Sequence, residues 1–453
     1  MGRIARPWDR IHRALFVALA VGLGWGIRGD FGHLLGAMYP GAALGLGFAF
    51  VSGQRNAFRW MPLLGALGGL GISTGGAMSY GLLHGYAKAD SFVNYSYGFF
   101  TLFLEGGAWG CFGGALIGLA LERKRITATE FASMVITVLL VGAAGYGLVV
   151  GVLGFHINPE RSDLTIGFTG GVAGLFLWLA LSRYRYTLKG ALFGYVGFGL
   201  GMSLGRLLAN ISYLQPLNVN HWNIMEVSCG LIGGFVYTYG MLGREFPKLP
   251  EEDGHSLLSV YGAFYVMAGI PLAHRIIRVP AAEKLDQWTK TLESYGYANA
   301  SDLSARTMHA LHVVCVFGVL GAVVWFCLHR RDKHRFAAFP ILFFSLLMLL
   351  IQNLNALYLY YPRQPHTINM HTVFWILLGL MALYALFVKQ RPLVETDDVC
   401  ERVPWRRAVV GALAAYALIV IAASFVNGEE TMRSACTRFP VWSWQDGPPP
   451  GAK

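Results

Sequence analysis

Two glutamates stand alone inside long apolar stretches, where a carboxylate needs a specific chemical reason to be. Glu105 lies within FFTLFLEGGAWGCFGGALIGLAL, and Glu226 lies within HWNIMEVSCGLIGGFVYTYGML. Because a carboxylate is costly in a membrane helix, such a residue usually faces a polar cavity or a partner. Two close carboxylates cannot both ionise cheaply, so one would hold a proton at neutral pH. This arrangement favours proton coupling or cation binding; the alternative is that each glutamate only ties helices together through hydroxyl or amide groups.

A charged triplet, Arg28, Asp30 and His33, interrupts the apolar sequence in GWGIRGDFGHLLGAMYPG. The run before it covers 17 residues at most, from Ile11 to Ile27. That is about 25 Å of helix against a hydrocarbon core of about 30 Å. We therefore expect the turn to dip below the outer surface, where Arg28 and Asp30 can pair. The alternative is a solvated loop between two short helices.

Further polar candidates are Arg206, near the end of a predicted span, and three amides in LLMLLIQNLNALYLYYP, namely Gln352, Asn353 and Asn355. The amides are suited either to reading the polar groups of a solute or to joining helices. With the two glutamates, these residues fall in the predicted outer half of the membrane. The polar side chains of the spans therefore predict a site open to the outside.

The sequence contains no motif that indicates a metal or cofactor site. His309 and His312 are one helical turn apart, but no third ligand can be identified, and the six cysteines are scattered. The glycine runs lie inside apolar spans rather than between a strand and a helix, which excludes a dinucleotide-binding loop. We predict no metal and no cofactor, and the catalytic residues of any enzymatic activity stay unknown.

The composition explains why these polar residues are informative. The chain has 453 residues, of which 55% are hydrophobic and 13% charged, with a mean hydropathy of +0.48. Soluble proteins carry about 25% charged residues, so the deficit indicates a chain mostly buried in lipid. The net charge of +11 does not indicate a nucleic-acid partner, because the basic residues cluster in short loops between apolar runs. That pattern is typical of cytoplasmic loops that face anionic lipid.

The apolar runs predict an all-α polytopic membrane protein with about thirteen transmembrane helices. Every second loop carries a basic cluster, which places the N-terminus in the cytoplasm and the protein in the cell membrane, inner or plasma. The predicted spans are 12–28, 33–52, 60–84, 97–121, 131–155, 164–182, 190–209, 222–243, 256–273, 306–328, 337–360, 369–389 and 408–426.

Glycine divides the chain into two parts. Residues 1–253 contain 46 of the 57 glycines, and 11 lie beyond. Because glycine lets membrane helices approach closely, we predict a tight eight-helix bundle over 1–246. A looser five-helix region over 247–428 would follow, with its boundary at Pro247–His255 and an outer loop at 274–305. The proline-rich end, 429–453, is predicted to be a disordered tail.

The glycine-rich part also predicts an internal duplication. A shift of 130 residues brings Gly69–Gly75, GLGISTG, onto Gly199–Gly205, GLGMSLG, and the basic loops coincide without a gap. The two glutamates match in the fourth helix of each copy after a nine-residue gap. The copies, at about 12–121 and 131–243, each hold four spans and are therefore parallel repeats, unless the match of abundant residues is chance.

Three functions compete at this point. A secondary transporter for a small polar solute, coupled to protons or cations, is favoured by the repeat and the membrane carboxylates. A membrane transferase for a lipid-linked or acyl-type substrate at the outer face would use Asp30 or His33 as general base and Arg28 as anion clamp. A non-catalytic scaffold or sensor would use the polar residues only to hold helices together. The predicted partners are the lipid bilayer and a small polar solute or ion; the oligomeric state is left open.

Overall fold

A computed structural model shows a helical protein with only two short strand pairs. It describes residues 7–78, 80–122, 124–158, 163–215, 218–242, 246–247, 257–277, 281–331, 333–360, 367–390, 392–393, 395–396, 403–427, 432 and 434–439. Helices make up 84% of the structure. The predicted all-α class is confirmed.

Sixteen α-helices follow one another in the described residues. They are α1 Pro7–Arg28, α2 His33–Ser52, α3 Arg55–Gly75, α4 Gly81–Tyr86, α5 Phe92–Ala120, α6 Ala128–Tyr146, α7 Leu164–Leu181, α8 Arg185–Tyr213, α9 His221–Met241, α10 Leu257–Phe264, α11 Ile270–Ile277, α12 Ala281–Ser294, α13 Ala300–Arg330, α14 Ala338–Asn355, α15 Met370–Phe387 and α16 Trp405–Val426. Two parallel strand pairs join Asn218–Val219 to Thr367–Ile368 and Phe246–Pro247 to Glu395–Thr396.

Eleven helical segments among the described residues are long and apolar enough to cross a membrane. This is typical of an integral membrane protein. The eleven segments differ from the predicted thirteen by α3 and α9, which match predicted spans in position and have 21 residues each but a less apolar composition.

Glycine contacts hold the centre of the bundle together. α5 and α8 pack closely, and a methyl group added at Gly110 or at Gly194 would overlap the carbonyl oxygen of the other. The same kind of approach brings α1 against α9, where a methyl group at Gly230 would meet the Val21 carbonyl oxygen. Because side chains are absent at these crossings, the backbones come near enough for polar groups on different helices to touch.

The loops gather at two ends, which we name after α1: the Arg10 end, where α1 begins, and the Arg28 end, where it finishes. At the Arg10 end, Arg10 donates to the Tyr239 carbonyl oxygen at 2.6 Å. At the Arg28 end, Asn427 donates to the Ala87 carbonyl oxygen at 2.8 Å. Each contact joins two residues near helix ends that the sequence predicts on a common side of the membrane.

The first helix corrects one expectation. α1 begins at Pro7 and has 22 residues, which corresponds to about 33 Å and is sufficient for a full span. A 3₁₀ turn, Gly29–Phe31, and Gly32 at φ 86° then lead into α2. The helix therefore begins five residues before the predicted span 12–28, and Arg28 is buried where it packs against α9.

The duplication stays a prediction. The helices it would equate with α1 and α2 are α6 and α7, yet their surroundings differ. The α1 and α2 spans are 78% and 83% buried, whereas the α6 and α7 spans are 6% and 39% buried. The second copy thus has its first two helices at the edge of the bundle.

The predicted domain limits fall mostly beyond the described residues. Of the boundary at 247–255, only Pro247 is described. Of the predicted tail, residues 432 and 434–439 are described, and Phe439 packs on Tyr97 with ring centroids 5.2 Å apart. The outer loop at 274–305 contains the α12 helix.

Candidate functional site

A buried ion pair joins α1 to α9 at the Arg28 end. Nη2 of Arg28 donates to Oε1 of Glu226 at 2.9 Å, and the two side chains are only 1% and 2% exposed. Arg28 is the last residue of α1, and Glu226 lies in the second turn of α9. The pair therefore depends on the close helix crossing at Gly230. The expected pairing of Arg28 with Asp30 is replaced by this contact.

Three aromatic rings surround the Arg28 guanidinium. Its Cζ lies 5.4 Å from the ring centroid of Trp25, 5.2 Å from that of Tyr80 and 5.1 Å from that of Trp109. Each distance is within the range of cation–π attraction. Because the rings also exclude water, the charges interact in a medium of low dielectric. In such a medium an ion pair is stronger than in water, and an unpaired charge costs more free energy.

Glu105 is the second carboxylate near Arg28. It is fully buried on α5, one turn before Trp109, and the Arg28 charge attracts it as well as Glu226. Neither oxygen of Glu105 makes a well-formed hydrogen bond to the described residues, although the Thr165 hydroxyl of α7 lies close enough to interact with it. One guanidinium therefore serves two carboxylates, one paired and one unpartnered.

Other polar atoms at this place also lack partners. Among the described residues, Nε of Arg28 and the indole nitrogens of Trp25 and Trp109 make no hydrogen bond. Buried polar groups are nearly always satisfied, so several such atoms around one carboxylate are unusual. Three donors and the two Glu105 acceptor atoms are thus left without a hydrogen bond around Arg28.

A hydrogen-bonded network starts at Asp30. Its Oδ2 accepts from Nε2 of Gln352 at 2.6 Å, and Nδ1 of His371 lies 3.1 Å from Oε1 of Gln352 and 2.9 Å from Oδ1 of Asn353. Both of these acceptors require the Nδ1–H tautomer of His371. The ring of Tyr358 stacks on His371 at 4.6 Å. The structure thus brings Asp30, Gln352 and Asn353 together and adds His371.

Gly29 connects this network with the ion pair. A Cβ atom at Gly29 would be 3.3 Å from Oε2 of Glu226, and the next residue is Asp30. His33 is exposed and meets edge-on, at 5.0 Å, the Tyr80 ring that lies over Arg28. Arg206 belongs to another contact and donates from Nε to Oδ1 of Asn210 at 2.8 Å.

A cavity of about 340 Å³ opens beside Asp30. Its wall is formed by the 3₁₀ turn and by α11, α12, α13 and α14. The lining residues are Gly29, Asp30, Phe31, His274, Lys284, Gln287, Met308, Leu311, Ile351 and Asn355. The volume is at the lower end of the range for small-molecule sites, and the mixed lining is typical of them. Within the described part of the chain, no group of three or more metal-ligating side chains is present.

Comparisons with known proteins give no family, no characterised relative and no solved structure that matches this chain. The function therefore has to be argued from the geometry.

Proposed function

We propose that this chain is a secondary transporter that moves a small polar solute and couples the movement to a proton or cation. The observation that carries the proposal is the sharing of the single Arg28 charge between a paired Glu226 and an unpartnered Glu105. A purely structural ion pair needs one carboxylate. A second one, buried without a donor, is costly unless a proton, a cation or a solute satisfies it.

The chemistry of coupling follows from this shared charge. When Glu105 holds a proton, Arg28 can serve Glu226 alone. When Glu105 loses that proton, both carboxylates compete for one guanidinium, and the α1–α9 contact weakens. Because Asp30 follows Arg28 by two residues, in the 3₁₀ turn after α1, a movement of Arg28 also reaches the Asp30 network and the cavity wall. The protonation of Glu105 and the position of α1 are then linked, and coupled transport requires a link of this kind.

The proposal includes a membrane arrangement. Thirteen spans cross the cell membrane, with α3 and α9 among them and with the N-terminus in the cytoplasm. The Arg28 end then faces outwards, and the cavity beside Asp30 is the entrance for the solute. The proposal also includes a parallel duplication of the first eight spans, as in repeat-built transporters, in which α6 and α7 pack differently from α1 and α2.

A membrane transferase is the second candidate, because Asp30 lines the cavity together with Lys284 and His274, whereas Glu105 does not line it. Asp30 would then be the general base, and a cation at the cavity would hold the anionic donor. Against this role, Asp30 already accepts a short hydrogen bond from Gln352.

A ligand screen separates the candidates. The full chain, purified in detergent, is heated with ions, sugars, amino acids, organic acids and lipid-linked donors, and the unfolding temperature is recorded for wild type, Glu105→Gln, Glu226→Gln and Glu293→Gln. Glu293 is exposed on α12 and serves as the control. A ligand of the folded state raises the unfolding temperature by mass action.

A transporter predicts stabilisation by a small solute that is lost in Glu105→Gln and Glu226→Gln but kept in Glu293→Gln. Stabilisation only by a lipid-linked donor, unchanged in the two buried-glutamate variants, would refute the transporter and support the transferase.

A further inference from the structure

A second group of buried basic side chains lies at the Arg28 end, beside the ion pair. It consists of Arg206 on α8, His84 on α4 and Lys88 in the following turn, which are 1%, 1% and 8% exposed. The ring of Tyr213 contacts two of them, with Cζ of Arg206 at 5.8 Å and Nζ of Lys88 at 5.6 Å from its centroid. Both cations therefore lie near the Tyr213 ring.

The protein itself leaves part of this group unsatisfied. Nε of Arg206 donates to Asn210, but Nη2 of Arg206 makes no hydrogen bond among the described residues. Neither ring nitrogen of His84 makes one either, although the ring meets Trp222 edge-on at 5.0 Å. The described residues give Arg206 no carboxylate partner. A buried guanidinium with an unsatisfied nitrogen is costly, so a ligand that supplies an acceptor to Nη2 of Arg206 is favoured.

The nearby carbonyl oxygens are already occupied. Nδ2 of Asn210 donates to the Ala87 carbonyl oxygen at 3.0 Å, and Nδ2 of Asn427 donates to the same oxygen at 2.8 Å and to that of Ala89 at 3.1 Å. The Asn427 amide oxygen accepts from Asn210 at 2.9 Å. The amides therefore fix the backbone around Lys88 without providing acceptors to Nη2 of Arg206.

The pKa of Lys88 indicates that Arg206 and Lys88 lie close to each other. Burial, and after it the charge of Arg206, lowers the pKa of the Lys88 ammonium to about 8. The two cations thus act on each other at short range, and the field they create attracts an anion.

We infer that Arg206, Lys88 and His84 form a binding site for an anionic oxygen group, a phosphate or a carboxylate, separate from the Arg28–Glu226 pair. Arg206 offers Nη2 as a donor, Lys88 adds a second positive charge, and His84 donates from one ring nitrogen while neutral. The site does not depend on the proposed transport activity. Its ligand comes either from solution or from the headgroup of an anionic phospholipid at the same membrane surface.

Inorganic phosphate is the probe for the test. The unfolding temperature of the full chain in neutral detergent is measured against phosphate concentration, with ionic strength held constant by sodium chloride. A saturable rise is expected for wild type. Arg206→Gln should raise the half-saturating concentration at least tenfold, and Lys88→Gln should raise it to a smaller extent. Arg331→Gln is the control, since Arg331 is exposed at the Arg10 end, and it should behave as wild type.

A lipid arm distinguishes the two sources. The same proteins are placed in nanodiscs of phosphatidylcholine, with or without phosphatidylglycerol. A headgroup ligand predicts that phosphatidylglycerol stabilises wild type and removes its response to phosphate, whereas a soluble ligand predicts the same phosphate response in both discs.

A rise that does not saturate, or that is equal in wild type and Arg206→Gln, together with no effect of phosphatidylglycerol, would overturn the inference. If Arg206→Gln does not fold, Lys88→Gln and Arg206→Lys carry the test. The lysine variant keeps the charge and should bind at least as tightly as Lys88→Gln; equal saturation of wild type and Lys88→Gln would count against the site.

Discussion

Nη2 of Arg28 and Oε1 of Glu226 lie 2.9 Å apart although 198 residues separate them in the chain. The contact joins the first helix of the bundle to the ninth and places a positive charge where Glu105 also feels it. The Arg28 side chain is thereby both a structural link and the countercharge of a candidate coupling site. The predictions below test these two roles separately.

Loss of Arg28 should leave Glu226 as a buried, unpaired charge. We expect Arg28→Met to lower the free energy of unfolding by about 3–5 kcal/mol, as for other broken buried pairs. The double variant Arg28→Met, Glu226→Leu should be more stable than the single one, because no charge is then left uncompensated. Unfolding in mixed micelles of detergent and dodecyl sulfate measures both.

The matched control is the exposed pair Arg306–Asp302, which has the same 2.9 Å separation but side chains that are 74% and 52% exposed. Arg306→Met should change stability little, because water screens exposed pairs. Equal losses for Arg28→Met and Arg306→Met would contradict the importance of burial at the Arg28 site.

The α5–α8 crossing predicts a strong dependence on glycine. Gly194→Ala places a methyl group on the carbonyl oxygen of Gly110, so the two backbones have to separate. We expect a loss of about 1–3 kcal/mol or more. Gly147→Ala meets no atom within 4 Å and should fold like wild type. Thermal unfolding compares the two variants, and a harmless Gly194→Ala would show that the helices pack less closely than described.

Much of this fold follows from the sequence, because the length of an apolar run fixes a helix in a membrane. The predicted span 33–52 coincides with α2, and 164–182 differs from α7 by one residue. The start of α1 was missed because Trp8, Asp9 and Arg10 precede the apolar run but still continue the helix. Helix ends outside the lipid are set by local contacts that hydropathy does not report.

The sequence predicted which residues form the site but not which of them contact each other. Glu105, Glu226 and Arg28 can be recognised as charges among apolar residues. The local sequence around each one does not indicate that Arg28 contacts Glu226. His371 was missed as a partner of Gln352 because a histidine at the start of a span is common at a membrane surface. Such contacts depend on which helices cross, and crossing is a property of the whole bundle.

The Asp30 network makes a further prediction. Gln352→Leu removes the donor to Asp30 and one acceptor of His371, and it should cost about 0.5–1.5 kcal/mol, since intramolecular hydrogen bonds are lost. Asn355→Leu is the matched control on the same helix. Its backbone carbonyl still accepts from Trp288, so the loss should be clearly smaller. Similar losses in both variants would mean that the network adds nothing.

Lys88 predicts a pH dependence. Its pKa in the folded protein is lowered to about 8 from 10.5, so the unfolded chain binds more protons between these values and stability rises with pH there. Lys88→Gln removes the penalty of burying the charge. Its advantage over wild type should be constant below about pH 8 and should shrink between pH 8 and 10.5. Thermal unfolding in phosphate-free buffer from pH 7 to 10 tests this.

Lys333→Gln is the control for that series, because Lys333 is exposed. It should show no comparable change with pH. An advantage of Lys88→Gln that stays constant up to pH 10 would contradict the lowered pKa of Lys88.

The most direct test of the central claim is proton flux through Glu105. Proteoliposomes that contain a pH-sensitive dye are given an inward gradient of the solute found in the ligand screen, with wild type, Glu105→Gln and Glu293→Gln in parallel. We predict that wild type and Glu293→Gln move protons when solute is added, and that Glu105→Gln moves none. Proton flux in Glu105→Gln equal to that of wild type would contradict the account.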